Sequence, residues 1–299
     1  MLLHQSLPSS QTTTNTYITM APLVWFITGA NAGFGLTLAN LALSKGDTVV
    51  ATARSLSKFP ESLTKNPNAD LVETEVTAPA ANITALVNAA AAKHGRIDVL
   101  VNNAGFGHIG AVEEVSDEEA HYQFDVNFFG VLNFTRAVIP HMRKQKSGVI
   151  VQLSSGVGIL GPQGAPLYSA SKFAVEGLSE SMAIELKPFG IRVHIVEPGV
   201  FRTDFLKSIS QGQNVSRHLE GYADLGGMLT GMHGKQPGNA ELGIQRLYEI
   251  ATGTGMAAGL EDQLRFPLGS DCYSMLEAKI RMLNETAEKG KAIAQSTDY

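Results

Sequence analysis

The stretch that decides the fold reads Leu23-Val-Trp-Phe-Ile-Thr28 and continues without interruption into Gly29-Ala-Asn-Ala-Gly33-Phe-Gly35. Its first six residues are an apolar run of β-formers with the length of a strand. Apolar residues then recur from Leu36 to Leu43 at the spacing of a buried helix. A strand, a glycine-rich turn and a helix in this order are typical of the start of a dinucleotide-binding unit, because glycines let the backbone approach a pyrophosphate at the helix N-terminus.

Strand and helix signals alternate along the rest of the chain. Further strands are predicted at residues 48–52, 70–75, 99–101, 148–153, 192–196 and 264–269. Helices are predicted at residues 33–45, 79–94, 117–143, 168–187, 239–251 and 271–287. This alternation predicts an α/β protein with a Rossmann-like doubly wound parallel sheet, in a single domain of three layers, α/β/α. Such sheets bind ligands at the carboxyl ends of their strands, where this chain places Thr28-Gly29, Asn102-Asn103, Ser154-Ser155 and Pro198-Gly199.

A second constellation consists of Tyr168 and Lys172, four residues apart in a predicted helix, with Ser155 thirteen residues before the tyrosine. This spacing sets the phenol and the ammonium on one helix face, a turn apart. An unperturbed phenol has a pKa of about 10, and a nearby positive charge favours phenolate and lowers that pKa. A shift of about three units takes roughly 4 kcal/mol, to which a desolvated lysine contributes. Taken alone, the pair is also typical of an ordinary surface helix; together with the motifs that follow, it leads us to expect that Lys172 lowers the pKa of Tyr168 and makes it a proton donor and acceptor.

Three further motifs follow in order. Asn102-Asn-Ala-Gly105 follows a strand, Asp125-Val-Asn-Phe-Phe-Gly130 contains Asn127, and Pro198-Gly-Val-Phe-Arg-Thr203 follows the strand at residues 192–196. Together with the two constellations above, they resemble the motifs of the short-chain dehydrogenase/reductase family, closely over residues 23–200. The chain is identified as a member of the compact group of that family, of the NADP type. Its predicted last strand resembles that of the steroid-dehydrogenase-like members.

The resemblance implies hydride transfer between a nicotinamide and a carbonyl/alcohol pair. Tyr168 would donate the proton during reduction and accept it in the reverse direction. Ser155 would hold the same oxygen by a hydrogen bond; the neighbouring Ser154 competes for this role, but the family spacing selects Ser155. Lys172 would favour phenolate and bind the nicotinamide ribose, and Asn127 would hold a water that links Lys172 to solvent.

The cofactor preference is predicted from the residues after the second strand. Relatives that use NAD often carry Asp where this chain has Ala53, and Arg54 comes next, with Ser55 and Lys58 near it. An acidic residue there binds the ribose 2′-hydroxyl, whereas an arginine accepts a 2′-phosphate, so NADP(H) is the expected cofactor. Glu75 stands where the family has Asp and is expected at the adenine. The resemblance assigns no metal site, and it assigns cofactor binding to Gly29, Asn31, Gly33, Phe34, Gly35, Arg54, Glu75, Asn103, Arg136, Tyr168, Lys172, Phe201 and Thr203.

The resemblance also places a substrate-covering segment at residues 205–238, where six glycines between Gly212 and Gly234 break any period. A plain surface insertion is the alternative interpretation of that segment. The side chains that flank the motifs predict a mostly apolar pocket for a small carbonyl or alcohol: Phe106, Val157, Ile159, Leu160, Phe201 and Phe205. Many relatives pair through the helices that hold Asn127 and Tyr168, so a homo-oligomer is left open.

Two other functions compete with carbonyl–alcohol interconversion. An NADP(H)-sensing protein with little catalysis would keep the fold, but loss of the serine, tyrosine or lysine would then be expected, and all three are present. An epimerase or dehydratase of the extended relatives would favour Gly-x-x-Gly-x-x-Gly, whereas Gly29, Gly33 and Gly35 fit the compact group.

Composition restricts the remaining classes of function. The chain has 299 residues, 44% of them hydrophobic, and a net charge of −5, so a nucleic-acid partner, which needs a basic stripe, is not expected. No apolar run reaches the length of a membrane span. Residues 1–19 contain no Lys or Arg and are expected to be a disordered tail ahead of one domain at residues 20–299. The single cysteine, Cys272, excludes an intramolecular disulfide, and a cytoplasmic location is the expectation.

Overall fold

A computed structural model describes residues 21–203, 205, 215, 219–222, 224–232 and 234–299. The predicted tail at residues 1–19 and much of the segment at residues 205–238 lie outside these described residues. Seven strands form one sheet: β1 (Val24–Ile27), β2 (Thr48–Ala53), β3 (Ala69–Glu73), β4 (Val99–Asn102), β5 (Gly148–Leu153), β6 (Ile191–Pro198) and β7 (Arg265–Leu268). Their order is β3-β2-β1-β4-β5-β6-β7, and every neighbouring pair is parallel. The predicted Rossmann-like doubly wound sheet is confirmed.

Helices cover both faces of the sheet and bury two apolar clusters. In β1, Trp25 and Ile27 belong to one cluster and Phe26 to the other, because successive strand residues point to opposite faces. All three side chains are fully buried. The helices are α1 (Gly33–Ser44), α2 (Glu61–Thr64), α3 (Ala80–His94), α4 (Asp117–Phe124), α5 (Val131–Gln145), α6 (Pro166–Leu186), α7 (Leu225–Met232), α8 (Ala240–Thr252) and α9 (Ser270–Gln295). No helix in the described part of the chain is long and apolar enough to cross a membrane.

The strand order reverses beside β1, which pairs with β2 on one side and with β4 on the other. Strands β2 and β3 follow in sequence on one side of β1, and strands β4 to β7 follow in sequence on the other side. A crevice opens at the carboxyl ends of the strands at such a reversal, and ligands of this fold bind there. The carboxyl ends of β1, β4, β5 and β6 carry the four predicted segments, so the sheet brings them to one edge.

The predicted helix at residues 117–143 is not continuous. A π-helical segment, Asp125–Gly130, separates α4 from α5, although the predicted capping box of Ser116 and Glu119 begins α4 as expected. Two close contacts accompany this wider turn. The Asn127 side chain binds the Phe106 backbone, and a Cβ atom on Gly130 would lie 3.0 Å from the Val76 carbonyl oxygen. Helix α9 also continues to Gln295, beyond its predicted end at Ala287.

The start of β1 is held by the buried carboxylate of Asp47. Its two oxygens accept hydrogen bonds from the Leu23 N–H at 2.9 Å, from Trp25 Nε1 at 2.9 Å and from the Tyr248 hydroxyl at 3.1 Å. The rings of Trp25 and Tyr248 are stacked with centroids 5.2 Å apart. Asp47 therefore joins the loop before β2, the first strand and α8 through a single charged group.

We predict that Asp47→Ala lowers the free energy of unfolding by about 3 kcal/mol, because three donors lose a charged acceptor, one of them buried and the other two partly buried. Urea unfolding measures the change. Asp262→Ala is the matched control, since the Asp262 side chain is 83% exposed and only pairs with Lys187 at 3.4 Å. Its loss should stay within about 0.5 kcal/mol. A loss below about 1 kcal/mol for Asp47→Ala would show that water replaces the carboxylate.

Candidate active site

The glycine-rich turn has the backbone that a phosphate cradle needs. Gly29 has a φ of +65° and Gly33 a φ of +52°, in the left-handed region that favours glycine. A Cβ on Gly35 would collide with the Gly29 carbonyl and lie 2.5 Å from Asn103 Nδ2. The N-cap residue of α1, Ala32, makes no side-chain capping bond, so the first N–H groups of the helix remain available to an anion. This turn therefore fits a dinucleotide pyrophosphate.

Asn103 holds the glycine-rich turn in place. Its Nδ2 donates to the carbonyls of Thr28 at 2.8 Å and Gly29 at 3.0 Å. In return, Thr28 Oγ1 accepts the backbone N–H groups of Asn103 and Ala104, each at 3.0 Å. The sequence predicts Asn103 as a cofactor contact, and the geometry adds this supporting role, which spacing alone does not indicate.

The segment after β6 lies against the glycine-rich turn. The rings of Phe34 and Phe201 meet edge to face with centroids 5.2 Å apart. A Cβ on Gly33 would lie 4.0 Å from Thr203 Cβ. Four of the predicted cofactor residues are therefore neighbours, although they come from two motifs far apart in the chain, and Asn31 lies half-buried within the same turn.

A cavity of about 500 Å³ opens beside the ends of β2 and β3. Its lining residues are Arg54, Glu73, Thr74, Glu75, Thr77, Ala78, Asn82 and Leu86. Arg54 and Glu75, two of the predicted cofactor residues, thus share one cavity. Arg136 is exposed on α5 and is not among the lining residues.

Glu73 is a lining residue that the sequence analysis does not single out. It pairs with Ala53 across β2 and β3, which places its carboxylate next to the position where an acidic residue would select NAD. Glu73 Oε2 accepts the backbone N–H of Leu56 at 2.9 Å, so one oxygen is already engaged. The strand register, which follows from the fold and not from a motif, is the signal that finds this residue.

Tyr168, Ser155 and Lys172 converge at the carboxyl end of β5. Tyr168 lies in the first turn of α6 and is 9% exposed, and Ser155 lies two residues after Leu153, the last residue of β5. Ser155 Oγ accepts the Val157 N–H at 3.4 Å. Lys172 is 5% exposed, and its Nζ donates to the Leu153 carbonyl at 2.6 Å.

The pKa values at this site differ from one sequence-based expectation. Burial raises the pKa of Tyr168, and a hydrogen bond with Ser155 opposes this only in part. The expected net lowering by Lys172 is therefore wrong for the protein on its own, because desolvation of the phenol outweighs the favourable interactions around it. Burial lowers the pKa of Lys172 to about 8, against the opposing charge of Glu176.

Asn127 is fully buried in the π-helical segment and all its polar atoms are engaged. Its Nδ2 donates to the Phe106 carbonyl at 2.8 Å and to Ser171 Oγ at 3.0 Å, and its Oδ1 accepts the Phe106 N–H at 3.1 Å. A Cβ on Gly105 would lie 3.1 Å from Asn127 Oδ1 and 3.6 Å from Lys172 Nζ. The amide and the ammonium thus face the same glycine, which leaves space between them.

An apolar wall lies beside Tyr168. The buried residues Ile109 and Ala165 pack with the tyrosine, and Val157, Val200, Val215 and Leu229 pack against them. The Phe205 ring lies 6.1 Å from the Tyr168 ring, measured between centroids. Val157 and Phe205 are two of the residues from which the sequence predicts an apolar pocket.

The described residues of the segment at residues 205–238 dock on the loop after β4. Val215 forms a β-bridge with Ile109. The Leu219 N–H donates to Glu114 at 2.5 Å, and the Tyr222 hydroxyl donates to Glu113 at 2.6 Å. These contacts place the described part of the segment over the apolar wall.

Comparison with known proteins agrees with this geometry. Residues 23–214 match the family described as short chain dehydrogenase. The 3-ketodihydrosphingosine reductase of Bacteroides thetaiotaomicron is 42% identical over 209 residues, which cover 69% of this chain and 73% of that protein. The crystal structure of a short-chain dehydrogenase from Streptomyces avermitilis superposes with a TM-score of 0.83 at 34% identity, covering 93% of this chain and 100% of its own.

Two further solved structures hold a nicotinamide dinucleotide. A short chain dehydrogenase/reductase from Burkholderia phymatum in complex with NAD has a TM-score of 0.75 at 24% identity, covering 89% of this chain and 94% of its own. A metagenomic short-chain oxidoreductase in complex with NADP has a TM-score of 0.57 at 32% identity, covering 60% of this chain and 84% of its own. Proteins of this fold thus hold NAD in one case and NADP in the other.

Gly107 packs directly against the Tyr168 ring, and we predict that Gly107→Ala destabilises the protein. A Cβ there would lie 2.9 Å from Tyr168 Cδ1 and 3.2 Å from Phe205 Cζ, so the buried tyrosine must move. Overpacking of this kind costs about 1–3 kcal/mol, which urea unfolding detects. Gly177→Ala in α6 is the control, since nothing lies within 4 Å of its Cβ position and alanine favours the helix. Equal stability of both variants would mean that the Tyr168 ring is mobile.

Proposed function

Since the chain belongs to the short-chain dehydrogenase/reductase family, we propose that it is an NADP(H)-dependent oxidoreductase that interconverts a carbonyl and an alcohol on an apolar substrate. The observation that carries this proposal is the convergence of Ser155, Tyr168 and Lys172 beside an apolar wall. A buried phenol next to a hydroxyl can donate a proton and a hydrogen bond to the same substrate oxygen. The apolar surroundings exclude water and strengthen the polar interactions at that oxygen.

In this proposal, each residue has one role in reduction. The nicotinamide, when bound, supplies the hydride. Tyr168 donates its proton to the substrate oxygen as negative charge develops there, and its raised pKa keeps the phenol protonated until that moment. Ser155 donates a hydrogen bond to the same oxygen. Lys172 provides the positive charge that stabilises the phenolate left behind, and Asn127 maintains the backbone around the ammonium.

The proposed preference for NADP(H) rests on Arg54 and Ala53. Ala53 is buried at the end of β2 and offers no carboxylate, while Arg54 is exposed at the mouth of the cavity. A guanidinium there can donate charge-assisted hydrogen bonds to a 2′-phosphate. Glu73 favours the competing candidate, NAD, because its second oxygen is free to bind a ribose hydroxyl from the same side of the cavity.

A panel of carbonyl compounds tests the activity itself and separates the enzyme from a dinucleotide-sensing protein. We expect retinal, a 3-ketosteroid, 3-ketodihydrosphingosine or an aliphatic ketone to oxidise NADPH, which is followed by its absorbance. Micromolar binding of NADPH with no turnover on any carbonyl or alcohol would favour the sensor instead. The cytoplasmic location and the homo-oligomer stay proposals; fractionation and light scattering test them.

We predict that Tyr168→Phe lowers kcat/KM about 10²–10⁴-fold while NADPH affinity stays within a few-fold, because only the acidic hydroxyl is lost. Steady-state kinetics and quenching of NADPH fluorescence measure the two quantities. Tyr273→Phe is the matched control, since Tyr273 is 55% exposed on α9 and should leave both unchanged. Near-normal turnover of Tyr168→Phe would remove the tyrosine from the mechanism.

We predict that the wild-type protein prefers NADPH over NADH by roughly 10- to 100-fold in kcat/KM, the equivalent of one charge-assisted bond of about 1.5–3 kcal/mol. Ala53→Asp combined with Arg54→Gln should reverse the order, through added repulsion as well as lost attraction. Arg143→Gln, which changes an exposed arginine of α5 outside the cavity, should leave the ratio unchanged. A wild-type preference for NADH that Glu73→Gln abolishes would instead assign the 2′-hydroxyl to Glu73.

A further inference from the structure

A cluster of buried charges lies directly behind the proposed active site, and none of the roles above uses it. Glu176 follows Lys172 by one turn of α6 and is 3% exposed. Glu197 lies near the end of β6 and is fully buried. Both acids meet Arg265 at the start of β7, so three separate elements contribute to the cluster.

One arginine serves both buried acids. Arg265 Nη1 donates to Glu176 Oε2 and also to Glu197 Oε1, the latter at 2.7 Å. Arg265 Nη2 donates to Glu180 at 2.7 Å, but the Glu180 side chain is 58% exposed and is hydrated. A single guanidinium offsets only one full negative charge, and a second buried charge without a partner is strongly unfavourable.

The remaining oxygens of the two acids lie close to other polar groups. Glu176 Oε1 and Glu197 Oε2 are buried without a well-oriented hydrogen bond from any residue that the structure describes. Ser154 and the two carboxyls are nevertheless near enough to interact, since Ser154 lowers the pKa of Glu176 and Glu176 lowers that of Glu197. A Cβ on Gly158 would lie 2.6 Å from Ser154 Oγ and 3.0 Å from Glu176 Oε1, so these two atoms face the same small space. A proton on one of the acids would satisfy this arrangement, because a protonated carboxyl can donate as well as accept.

The electrostatics agree with one proton held in the cluster. Burial raises the pKa of Glu176 to about 7 and raises that of Glu197 as well, and the charge of Glu197 adds to the effect on Glu176. Helix α9 brings the thiol of Cys272 to the cluster and places Asp271 beside that thiol. Burial and the nearby carboxylates raise the pKa of Cys272 to about 12, which keeps it a neutral thiol, and Asp271 accepts the Val200 N–H at 2.6 Å.

We propose that Glu176 and Glu197 share one proton near neutral pH, and that Glu176 is a positioning residue that keeps Lys172 charged when this proton leaves. Lys172 and Glu176 are close to each other, since a Cβ on Gly158 would lie 3.1 Å from Lys172 Cβ and 3.0 Å from Glu176 Oε1. The negative charge of Glu176 favours the ammonium form of Lys172. The role in turnover rests on the proposed function, whereas the shared proton does not.

The direction of the effect follows from the order of the two titrations. The Glu176 group has a raised pKa, so its negative charge appears as the pH rises through about 7. Lys172 has a lowered pKa of about 8, so its ammonium would be lost over the next pH interval. The new carboxylate charge opposes that loss and extends the pH range in which the lysine can stabilise a phenolate.

Glu176→Gln tests the coupling to Lys172, with Glu180→Gln as the matched control on the same helix and the same arginine. The basic limb of kcat/KM for NADPH-dependent reduction, measured with the panel carbonyl of highest wild-type turnover, should move down by about one pH unit or more in Glu176→Gln. Glu180→Gln should leave the basic limb in place. Glu176→Asp, which keeps a carboxylate, should have its basic limb close to the wild-type position. An unmoved limb in a folded Glu176→Gln protein, or an equal shift in Glu180→Gln, would overturn the proposal.

Infrared spectroscopy tests the shared proton without any turnover. At pH 6, where exposed carboxyls are ionised, the wild-type protein should show the C=O stretching band of one protonated carboxyl, shifted by deuterium oxide. The band should be absent from Glu176→Gln and also from Glu197→Gln, which provides a second variant if one of them does not fold. A wild-type spectrum without this band would refute the shared proton even if the oxidoreductase activity is found, and its presence in an inactive protein would refute only the proposed function.

Discussion

The hydrogen bonds between Thr28 and Asn103 are the interaction on which the rest of the site depends. They join the carboxyl ends of β1 and β4 at the point where the strand order reverses. On one side they fix the glycine-rich turn, which contains the backbone conformations that only glycine adopts easily. On the other side they fix the chain that leads to Gly105, which Asn127 and Lys172 both face. A few hydrogen bonds at one edge of the sheet thus set the positions of both the glycine-rich turn and the residues to which the proposed function assigns proton transfer.

Helix α6 combines two tasks that normally exclude each other. It buries part of the apolar core through residues such as Met182 and Leu186, and it also buries Lys172 and Glu176. Charged side chains at such depth are costly unless they have partners, and here the Leu153 carbonyl and Arg265 provide them. The partners come from β5 and β7, so the sheet solvates the charges that the helix carries. This arrangement explains how a buried lysine is stabilised as a cation although burial lowers its pKa.

The sequence predicts the parts of this structure that depend on local pattern. Six of the seven strands, the sheet class, the capping box at Ser116 and the edge that gathers the motifs follow from periodicity and turn chemistry, and the last strand follows from the family resemblance. It does not predict features that need distant partners. Glu73 acquires its position from pairing with β2, and the partners of Glu176 lie 21 and 89 residues further along the chain, as Glu197 and Arg265. Nor does the sequence predict that the pKa of Tyr168 is raised, because residue spacing indicates a neighbouring charge but not the degree of burial.

Burial of the Tyr168 phenol has a consequence for the direction of the proposed reaction. A phenol whose pKa is raised is protonated in the protein that waits for substrate, which is the form that donates to a carbonyl oxygen. Alcohol oxidation needs the opposite form, phenolate, which the hydrogen bond from Ser155 and, in the proposed mechanism, the ammonium of Lys172 stabilise. Whatever keeps Lys172 charged therefore determines how far toward oxidation the site can operate. The apolar wall and the buried acids thus act on the same equilibrium in opposite senses, the first favouring phenol and the second favouring the cation that phenolate requires.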